Sequence, residues 1–193
     1  MPRNRPEFIF NVVVAERNPG KRRDENMTSP ENASIAEIDL FVMGDDGPET
    51  VRLGDLIRGK RAVIFTVPGA FTPTCHNEHM PGFIRNSEAI RAHGVDEIIC
   101  VTVNDPFVAD AWARATDAAS AGIRVLADPG AELTRALGIE LNAPAVGLLD
   151  RAHRCSMLVE DGRIQGLYRE DNPGVCEVSS GESLLDHLSG AAA

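Results

Sequence analysis

Three short apolar runs, each followed by a turn and a helical pattern, limit most strongly what this chain can fold into. The runs are "RAVIFTV" (61–67), "EIICVTV" (97–103) and "RVLA" (124–127). Such runs are typical of strands that are buried on both faces of a parallel sheet. Asn104 or Asp105 can cap the second of these helices and Asp128 can cap the third, and Pro106 and Pro129 suit their first turns. The pattern therefore predicts a β-α-β-α-β-α order and the α/β class.

The last third of the chain has a different pattern. The stretch "CSMLVEDGRIQGLY" (155–168) contains two strand-like runs around residues 160–162, which is typical of a hairpin. In "SSGESLLDHL" (179–188), Ser179 and Glu182 have capping-box spacing and predict a final helix. The complete order predicts a central mixed β-sheet, half parallel and half antiparallel, flanked by helices on both faces.

The chain has 193 residues, enough for one compact domain with additional residues at one end. We expect residues 1–34 to be a polar, flexible N-terminal extension and residues 35–193 to be the folded domain. The stretch 17–34 is rich in charge, Pro and Asn and lacks hydrophobic periodicity. The apolar run "FIFNVVVA" (8–15) leaves a second interpretation open, in which it adds an edge strand or docks on a partner. Met27 is an alternative start of translation.

Charge and hydropathy exclude several classes of function. The formal net charge is -10 at pH 7, and an acidic surface repels phosphate backbones, so we expect no nucleic-acid partner. No apolar run approaches the roughly 20 residues of a membrane span, and we expect no membrane partner. The run 8–15 has no small-residue cleavage site after it, so the cytoplasm is the expected compartment. Four cysteines are too few for a disulfide scaffold.

The sequence "VPGAFTPTCHNEHMPGF" (67–83) places Cys75 in a constrained turn just after the first predicted strand. In open α/β sheets, chemistry gathers where loops leave the carboxyl ends of parallel strands. The start of the following helix favours an anion there, and hence the nucleophilic thiolate. Pro68 and Pro73 restrict the loop, and Thr72 can bring its hydroxyl back toward the sulfur.

Three interpretations of Cys75 compete. A structural cysteine is one, but packing alone explains neither the two prolines nor Thr72. A metal site is the second, because His79 follows four residues later, but no further Cys or His pair lies nearby. A reactive thiolate is the third, and the placement favours it. The absence of a C-x-x-C motif argues against a dithiol oxidoreductase.

These residues also carry a family resemblance. Pro68, Thr72 and Cys75 have the spacing P-x-x-x-T-x-x-C, and the longer string "VPGAFTPTCxxxHxPGF" resembles the type II, or peroxiredoxin-5-like, peroxiredoxins. The resemblance covers roughly residues 35–188. Further matching segments are "VNDPFVADAW" (103–112), "LADPGAELTRALG" (126–138), "RCSMLVEDG" (154–162) and "EVSSGESLL" (177–185).

The resemblance implies a thioredoxin-like fold and a thiol-dependent peroxidase that reduces hydrogen peroxide and small alkyl hydroperoxides through a cysteine sulfenic acid. No metal or organic cofactor is implied. Cys75 would be the peroxidatic nucleophile, Thr72 would hydrogen-bond sulfur and peroxide, and Pro68 would shield the sulfenic acid from water. Arg154 would stabilise the thiolate and donate two parallel bonds to a peroxide, for which a guanidinium is suited.

The resemblance leaves the reductive half of the cycle open. Glutathione, a glutaredoxin or a thioredoxin would supply the electrons. Cys176 aligns with a resolving cysteine that some members carry, and it is either resolving or incidental. It follows the loop signal "EDNPG", so we expect it to be exposed and mobile. Cys100 and Cys155 are expected to pack in the core, His79 to order the helix turn and His76 to lie at the surface.

Two further expectations concern association and role. Members of this kind often pair through the face that carries the active-site loop, so the resemblance implies a homodimer. The alternative function is a redox sensor or adaptor, in which oxidised Cys75 passes its oxidation to a partner protein.

Overall fold

The structure is a computed structural model that describes residues 35–190. The predicted extension, residues 1–34, lies outside the described residues. Within them, no helix is both long enough and apolar enough to cross a membrane. The strands are β1 (Asp39–Gly44), β2 (Gly47–Arg52), β3 (Arg61–Val67), β4 (Glu97–Thr102), β5 (Ile123–Ala127), β6 (Glu140–Ala143), β7 (Leu148–Ala152), β8 (Cys155–Glu160) and β9 (Arg163–Arg169). The α-helices are α1 (Leu53–Ile57), α2 (Met80–Ala92), α3 (Pro106–Thr116), α4 (Glu132–Ala136) and α5 (Gly181–Leu188).

Seven strands form one mixed sheet in the order β2-β1-β5-β4-β3-β8-β9. Strands β3, β4 and β5 are parallel. Strand β8 runs antiparallel to β3, β9 runs antiparallel to β8, and the β1–β2 hairpin joins the other side through β5. The predicted α/β class and mixed central sheet are therefore confirmed.

The central strand β3 is buried on both faces, as its apolar sequence predicts. Ala62 and Ile64 point into a core that α1 and α4 cover. Val63, Phe65 and Val67 point into the opposite core, which α2, α3 and α5 cover. Because alternate residues of a strand face opposite sides, a strand with helices on both sides needs an uninterrupted apolar run. Helices therefore lie on both faces of the sheet, as predicted.

Two helix starts show which local predictions hold. The Asp105 carboxylate accepts the Val108 N–H at 3.0 Å and caps α3, as predicted. The Asp128 carboxylate accepts the Glu132 N–H at 2.7 Å, so it does stabilise the start of α4. However, α4 begins after Ala131, and Pro129 lies before the helix instead of in its first turn.

The prediction that Ser179 and Glu182 form the capping box of α5 is wrong by one residue. Ser180 is the N-cap, and its hydroxyl accepts the Ser183 N–H at 3.1 Å. The Ser179 side chain instead donates to the Glu170 carboxylate at 2.9 Å. The Ser179 side chain, which the local pattern assigns to the helix cap, is thus bound by Glu170, a residue outside the helix.

The hairpins divide into one that the sequence predicts and two that it does not. Asp161 and Gly162 both have positive φ, 47° and 75°, as a two-residue hairpin turn requires, and the predicted β8–β9 hairpin is confirmed. The β1–β2 hairpin and the separate β6–β7 hairpin were not predicted. Strand β2 is largely exposed at the sheet edge, and β6 has only four residues, so neither shows a clear apolar pattern.

Helix α5 packs against the start of α2 through two glycines. A Cβ atom on Gly181 would lie 2.9 Å from the carbonyl oxygen of Gly82 and 3.1 Å from the backbone nitrogen of Phe83. Only glycine permits this backbone contact. The contact is close to the turn that carries Cys75, because that turn leads directly into α2.

Gly181→Ala should therefore lower the free energy of unfolding by about 1–3 kcal/mol, because the backbones must separate. Urea unfolding monitored by circular dichroism would measure the change. Gly130→Ala is the matched control, because its Cβ would lie 3.5 Å from the Glu132 side chain, an ordinary contact. Equal midpoints for the two variants would contradict the close approach of α5 to α2.

Candidate active site

The loop between β3 and Cys75 is held by the end of the neighbouring strand. The Ala70 N–H donates to Asn104 Oδ1 at 3.0 Å. The same oxygen accepts the Thr102 hydroxyl at 2.7 Å, at the end of β4. Asn104 was predicted only as one of two possible helix caps. Its actual contacts fix the loop at the carboxyl ends of β3 and β4, where α/β folds place their chemistry.

The loop turns tightly before the cysteine. Phe71 adopts a φ of 60°, which is unusual and strained for a bulky residue. The Thr72 hydroxyl donates to the Gly69 carbonyl at 2.9 Å, so its hydrogen points toward that carbonyl. The Arg151 guanidinium donates to the Pro68 carbonyl at 3.4 Å. Arg151 was not predicted as part of this region.

Cys75 begins a π-helical turn, Cys75–His79, that precedes α2. The Met80 N–H donates to the Cys75 carbonyl, five residues back. Pro81 follows and has no N–H to donate, which favours a break in the regular pattern at this place. The first turn is thus a π turn, a feature frequent at functional sites. Cys75 has no exposed surface.

A small cavity of about 30 Å³ brings three of the predicted residues together. Pro68, Thr72 and Arg154 all line it, and Cys75 directly follows two further lining residues. The volume suffices for about two water-sized groups. The remaining lining residues come from the loop, the β6–β7 hairpin and the segment before α5: Pro73, Thr74, Ala143, Val146, Leu148, Pro173 and Gly174.

Arg154 is a buried cation, and one nitrogen of its guanidinium has no hydrogen-bond partner. It lies one residue before β8 and is 1% exposed. Its Nε donates to the Val175 carbonyl at 2.9 Å, and its Nη2 donates to the Pro173 carbonyl at 3.0 Å. Nη1 is buried and has no partner. Because an unpaired buried donor is costly, Nη1 is suited to bind a polar or anionic ligand that enters the cavity.

His79, at the end of the π turn, is buried and neutral. Burial, and then the nearby Arg154 guanidinium, lower the pKa of His79 to about 3, against the opposing effect of its bond to Ser179. Its Nε2 donates to the Ser179 carbonyl at 2.9 Å. This supports the expectation that His79 orders the turn. Residues 35–190 contain no group of three or more potential metal ligands.

His76 was expected at the surface, but it is half-buried and connects the turn to α3. The Trp112 indole N–H donates to His76 Nδ1 at 3.1 Å. On the other side, the rings of His76 and Phe71 stack with their centres 5.8 Å apart. The sequence does not indicate the contact between Trp112 and His76, because the two residues lie 36 positions apart.

The predicted exposure of Cys176 is wrong. The residue is half-buried, and its loop is anchored on the active site. The Thr74 hydroxyl donates to the Gly174 carbonyl at 3.0 Å, and Arg154 holds two further carbonyls of the same loop. Burial raises the pKa of the Cys176 thiol to about 12, with Arg154 opposing and Glu170 adding to the effect.

The other two cysteines are buried, as predicted. Cys100 lies on β4, in the same core as Cys75. Burial, and then the proximity of Cys75, raise the pKa of Cys100 well above its ordinary value. Cys155 lies in the opposite core, and burial raises its pKa to about 12.

Comparison with known proteins agrees with this geometry. The Redoxin family model matches residues 28–185. The chain is 42% identical over 155 residues to peroxiredoxin-2E-2, chloroplastic, of Oryza sativa subsp. japonica, covering 79% of this chain and 68% of the relative. It is 40% identical over 148 residues to peroxiredoxin-2D of Arabidopsis thaliana, covering 77% of this chain and 90% of the relative.

A solved structure is similar over most of its length. Reduced Prx3 in complex with H2O2 from Vibrio vulnificus superposes with a TM-score of 0.73 and 37% identity, covering 80% of this chain and 96% of that one. The chain is a type II peroxiredoxin. As a peroxiredoxin it has a thioredoxin-like fold and is a thiol-dependent peroxidase.

His79→Gln should make the peroxiredoxin less sensitive to acid. The pKa of His79 is about 3 in the folded protein and 6.5 for an ordinary imidazole. Between these values the unfolded chain binds one more proton, so stability falls as the pH falls, by up to about 1.4 kcal/mol per pH unit. Gln can donate to the Ser179 carbonyl without titrating. The unfolding free energy of the variant should therefore change less with pH than that of the wild type. The difference in slope corresponds to about one proton fewer taken up on unfolding.

The measurement is urea unfolding of both proteins between pH 4 and pH 8. Above the ordinary imidazole range the two slopes should coincide, which serves as the internal control. The same slope for both proteins over the whole range would contradict a buried, neutral His79.

Proposed function

We propose that Cys75 is the peroxidatic nucleophile of this peroxiredoxin. Its thiolate attacks one peroxide oxygen, the O–O bond breaks, and the other oxygen leaves as water or an alcohol after taking a proton. The sulfur becomes a sulfenic acid. The observation that supports this assignment best is the cavity that Pro68, Thr72 and Arg154 line, beside the two residues that precede Cys75, together with the unpartnered Nη1 of the buried Arg154 guanidinium.

Arg154, Thr72 and Pro68 would each contribute differently to this step. Arg154 stabilises negative charge on the sulfur and donates from Nη1 to a peroxide oxygen, at low dielectric and without prior reorganisation. The Thr72 hydroxyl donates to Gly69, which leaves its oxygen free to accept a peroxide hydrogen. Pro68 is buried and offers no N–H, so it keeps water from the sulfenic acid.

The substrates are hydrogen peroxide and small alkyl hydroperoxides. A cavity of about 30 Å³ has room for the two oxygens of a peroxide. Ala143, Val146 and Leu148 form an apolar wall where a short alkyl group can lie. Since Cys75 has no exposed surface, a peroxide reaches the sulfur only after the lining side chains shift slightly.

Cys75→Ser should abolish peroxide turnover while leaving the fold intact. Serine keeps the shape but lacks a thiolate. Peroxide consumption with excess reductant measures the loss. Cys100→Ala and Cys155→Ala are matched controls that should retain turnover, since both thiols are buried and have raised pKa values.

Turnover in Cys75→Ser above a trace would overturn the assignment of the nucleophile. The same assay addresses the sensor or adaptor role. A wild-type protein that reacts once with peroxide but does not turn over with any thiol reductant would favour that role over peroxide clearance.

Cys176 is the proposed resolving cysteine. Its thiol would attack the Cys75 sulfenic acid, forming a disulfide and releasing water, and a thioredoxin, a glutaredoxin or glutathione would then reduce the disulfide by exchange. The support is the position of its loop, which Thr74 and Arg154 bind directly. A thiol with a pKa of about 12 stays protonated at neutral pH, so resolution requires the loop to leave its present environment.

Cys176→Ser should still react once with peroxide but stop at sulfenic acid, or proceed to sulfinic acid under excess peroxide. Turnover with thioredoxin should fall at least about tenfold, because no disulfide is available for exchange. Glutathione should partly restore turnover by forming a mixed disulfide on Cys75. Peptide mapping of the oxidised wild type provides the control. Normal turnover of the variant, with no Cys75–Cys176 peptide, would indicate a one-cysteine cycle instead.

A homodimer through the face of the active-site loop is the proposed assembly. Four exposed apolar side chains lie in the loop or in elements connected to it, and their exposure argues for a partner surface. Phe107 is 61% exposed and is the second residue of α3, which follows the loop-binding residue Asn104. Val146, 46% exposed, lines the cavity. Phe71 and Leu149, 51% and 58% exposed, lie in the loop and on β7.

Phe107→Glu should shift the equilibrium toward monomer, because a carboxylate would be buried without a partner. Sedimentation velocity over a range of protein concentrations measures the shift. Ala115→Glu, exposed at the other end of α3, is the matched control and should leave the mass unchanged. A wild-type protein that is monomeric at all concentrations would overturn the proposed dimer.

The cytoplasm is the proposed compartment, because the cycle consumes reduced thiols, which the cytoplasm maintains. Three of the relatives have chloroplastic or mitochondrial in their names. Fractionation of cells that produce this chain would decide between the cytoplasm and an organelle. Residues 1–26 are proposed to be dispensable for turnover, because they contribute none of the proposed catalytic residues.

A further inference from the structure

Two buried charged side chains hold the segment on either side of Cys176. Arg154 holds it on the N-terminal side through the carbonyls of Pro173 and Val175. The Glu170 carboxylate holds it on the C-terminal side, through a different set of bonds. Glu170 is 4% exposed and was not predicted to have a role.

One oxygen of Glu170, Oε1, accepts three hydrogen bonds. The donors are the Glu177 N–H at 2.7 Å, the Ser179 N–H at 2.9 Å and the Ser179 hydroxyl at 2.9 Å. Bonds to a charged acceptor are roughly twice as strong as neutral ones. Cys176 therefore lies between two anchors of opposite charge. The Arg154 cation donates to carbonyl groups on one side, and the Glu170 anion accepts from N–H groups on the other.

The two anchors are adjacent on the sheet. Arg154 immediately precedes β8, Glu170 immediately follows β9, and the Glu170 N–H donates to the Arg154 carbonyl at 3.0 Å. The sheet register pairs their neighbours, Cys155 and Arg169. Neither anchor can move without disturbing the β8–β9 pairing, so the segment must move by releasing their side-chain bonds.

The same segment reaches the peroxidatic turn. The Ser179 carbonyl accepts His79 Nε2–H at 2.9 Å, and His79 ends the turn that Cys75 begins. Glu170, Ser179 and His79 thus form a continuous buried chain of contacts from β9 to the π turn. A displacement of residues 177–179 breaks this chain and releases Cys176 together with one support of the turn.

We propose that the Glu170 carboxylate is a latch on the Cys176 segment, and that its release sets how oxidised Cys75 divides between two outcomes. In one, the Cys176 thiol attacks the sulfenic acid, giving a disulfide and water. In the other, a second peroxide oxidises the sulfenic acid to sulfinic acid and is itself reduced to water. Glu170 acts as a positioning residue, because it touches neither substrate nor sulfur. The division between outcomes rests on the proposed roles of Cys75 and Cys176, whereas the latch itself does not.

The latch is tested directly by the reactivity of Cys176 toward iodoacetamide. Reduced protein in a Cys75→Ser background is alkylated, and the Cys176 peptide is quantified over time by mass spectrometry. Glu170→Ala should raise the Cys176 rate by about tenfold or more, because local opening no longer breaks charge-assisted bonds. Glu170→Gln keeps an acceptor oxygen and should give a smaller increase, so it remains informative if Glu170→Ala fails to fold.

Asp171→Asn is the matched control, because Asp171 is the exposed neighbouring carboxylate, and its rate should stay within about twofold of the parent. Cys176 rates in both Glu170 variants equal to the parent rate would overturn the latch. A large rise in Asp171→Asn as well would assign the effect to net charge and would also overturn it.

The functional consequence is measured in protein that retains Cys75. After one equivalent of hydrogen peroxide, Glu170→Gln should form the Cys75–Cys176 disulfide faster than wild type, and under excess peroxide it should accumulate less sulfinic acid. If Glu170→Gln is alkylated faster but forms the disulfide at the wild-type rate, the proposal that Glu170 sets the division between disulfide and sulfinic acid is overturned. If wild type never forms this disulfide, the two-cysteine cycle fails, and the alkylation rates still decide whether Glu170 latches the segment.

Discussion

The buried Arg154 guanidinium is the constraint on which the organisation of this site depends. Two of its nitrogens donate to the carbonyls of Val175 and Pro173, which fixes the plane of the group. The third nitrogen, Nη1, is left without a partner, and Arg154 lines the cavity. The charge of the guanidinium also contributes, after burial, to the low pKa of His79. One residue thereby positions the segment before α5, helps to keep a histidine neutral and supplies the donor that the proposed mechanism directs at the peroxide.

A buried cation without a carboxylate partner is expensive, and the fold offsets this cost with backbone carbonyls. In the proposed mechanism, that arrangement has an advantage over an ion pair. A carboxylate would neutralise the guanidinium and compete with the peroxide and the thiolate for its donors. Carbonyl oxygens orient the group while leaving its net charge available to the site.

Much of the central fold could be predicted because local and tertiary preferences agree there. Strand β3 is apolar from Ala62 to Phe65 and again at Val67, since both of its faces are covered, and Asp105 caps α3 with its own side chain. The active-site loop could also be predicted, because prolines and a threonine at fixed distances from Cys75 are local features of the sequence. Three of the predicted residues, Pro68, Thr72 and Arg154, line one cavity.

The errors arise where a distant partner overrides the local pattern. Ser179 has the spacing of a helix cap, but the Glu170 carboxylate binds it and the cap moves to Ser180. The composition before Cys176 indicates a loop correctly, yet nothing in it indicates that Arg154 covers that loop. Edge strands such as β2 are half solvent-exposed and lack the apolar run that identifies the central strands.

The contact between Trp112 and His76 gives the molecule an intrinsic optical reporter. The sequence contains a single tryptophan, and its indole nitrogen is bonded to the residue that follows Cys75. Fluorescence emission of an indole depends on its hydrogen bonding and on the groups packed around it. Any rearrangement of the Cys75 turn during the catalytic cycle therefore alters the emission of one known side chain, and its time course can be followed by stopped-flow fluorimetry without attaching a dye.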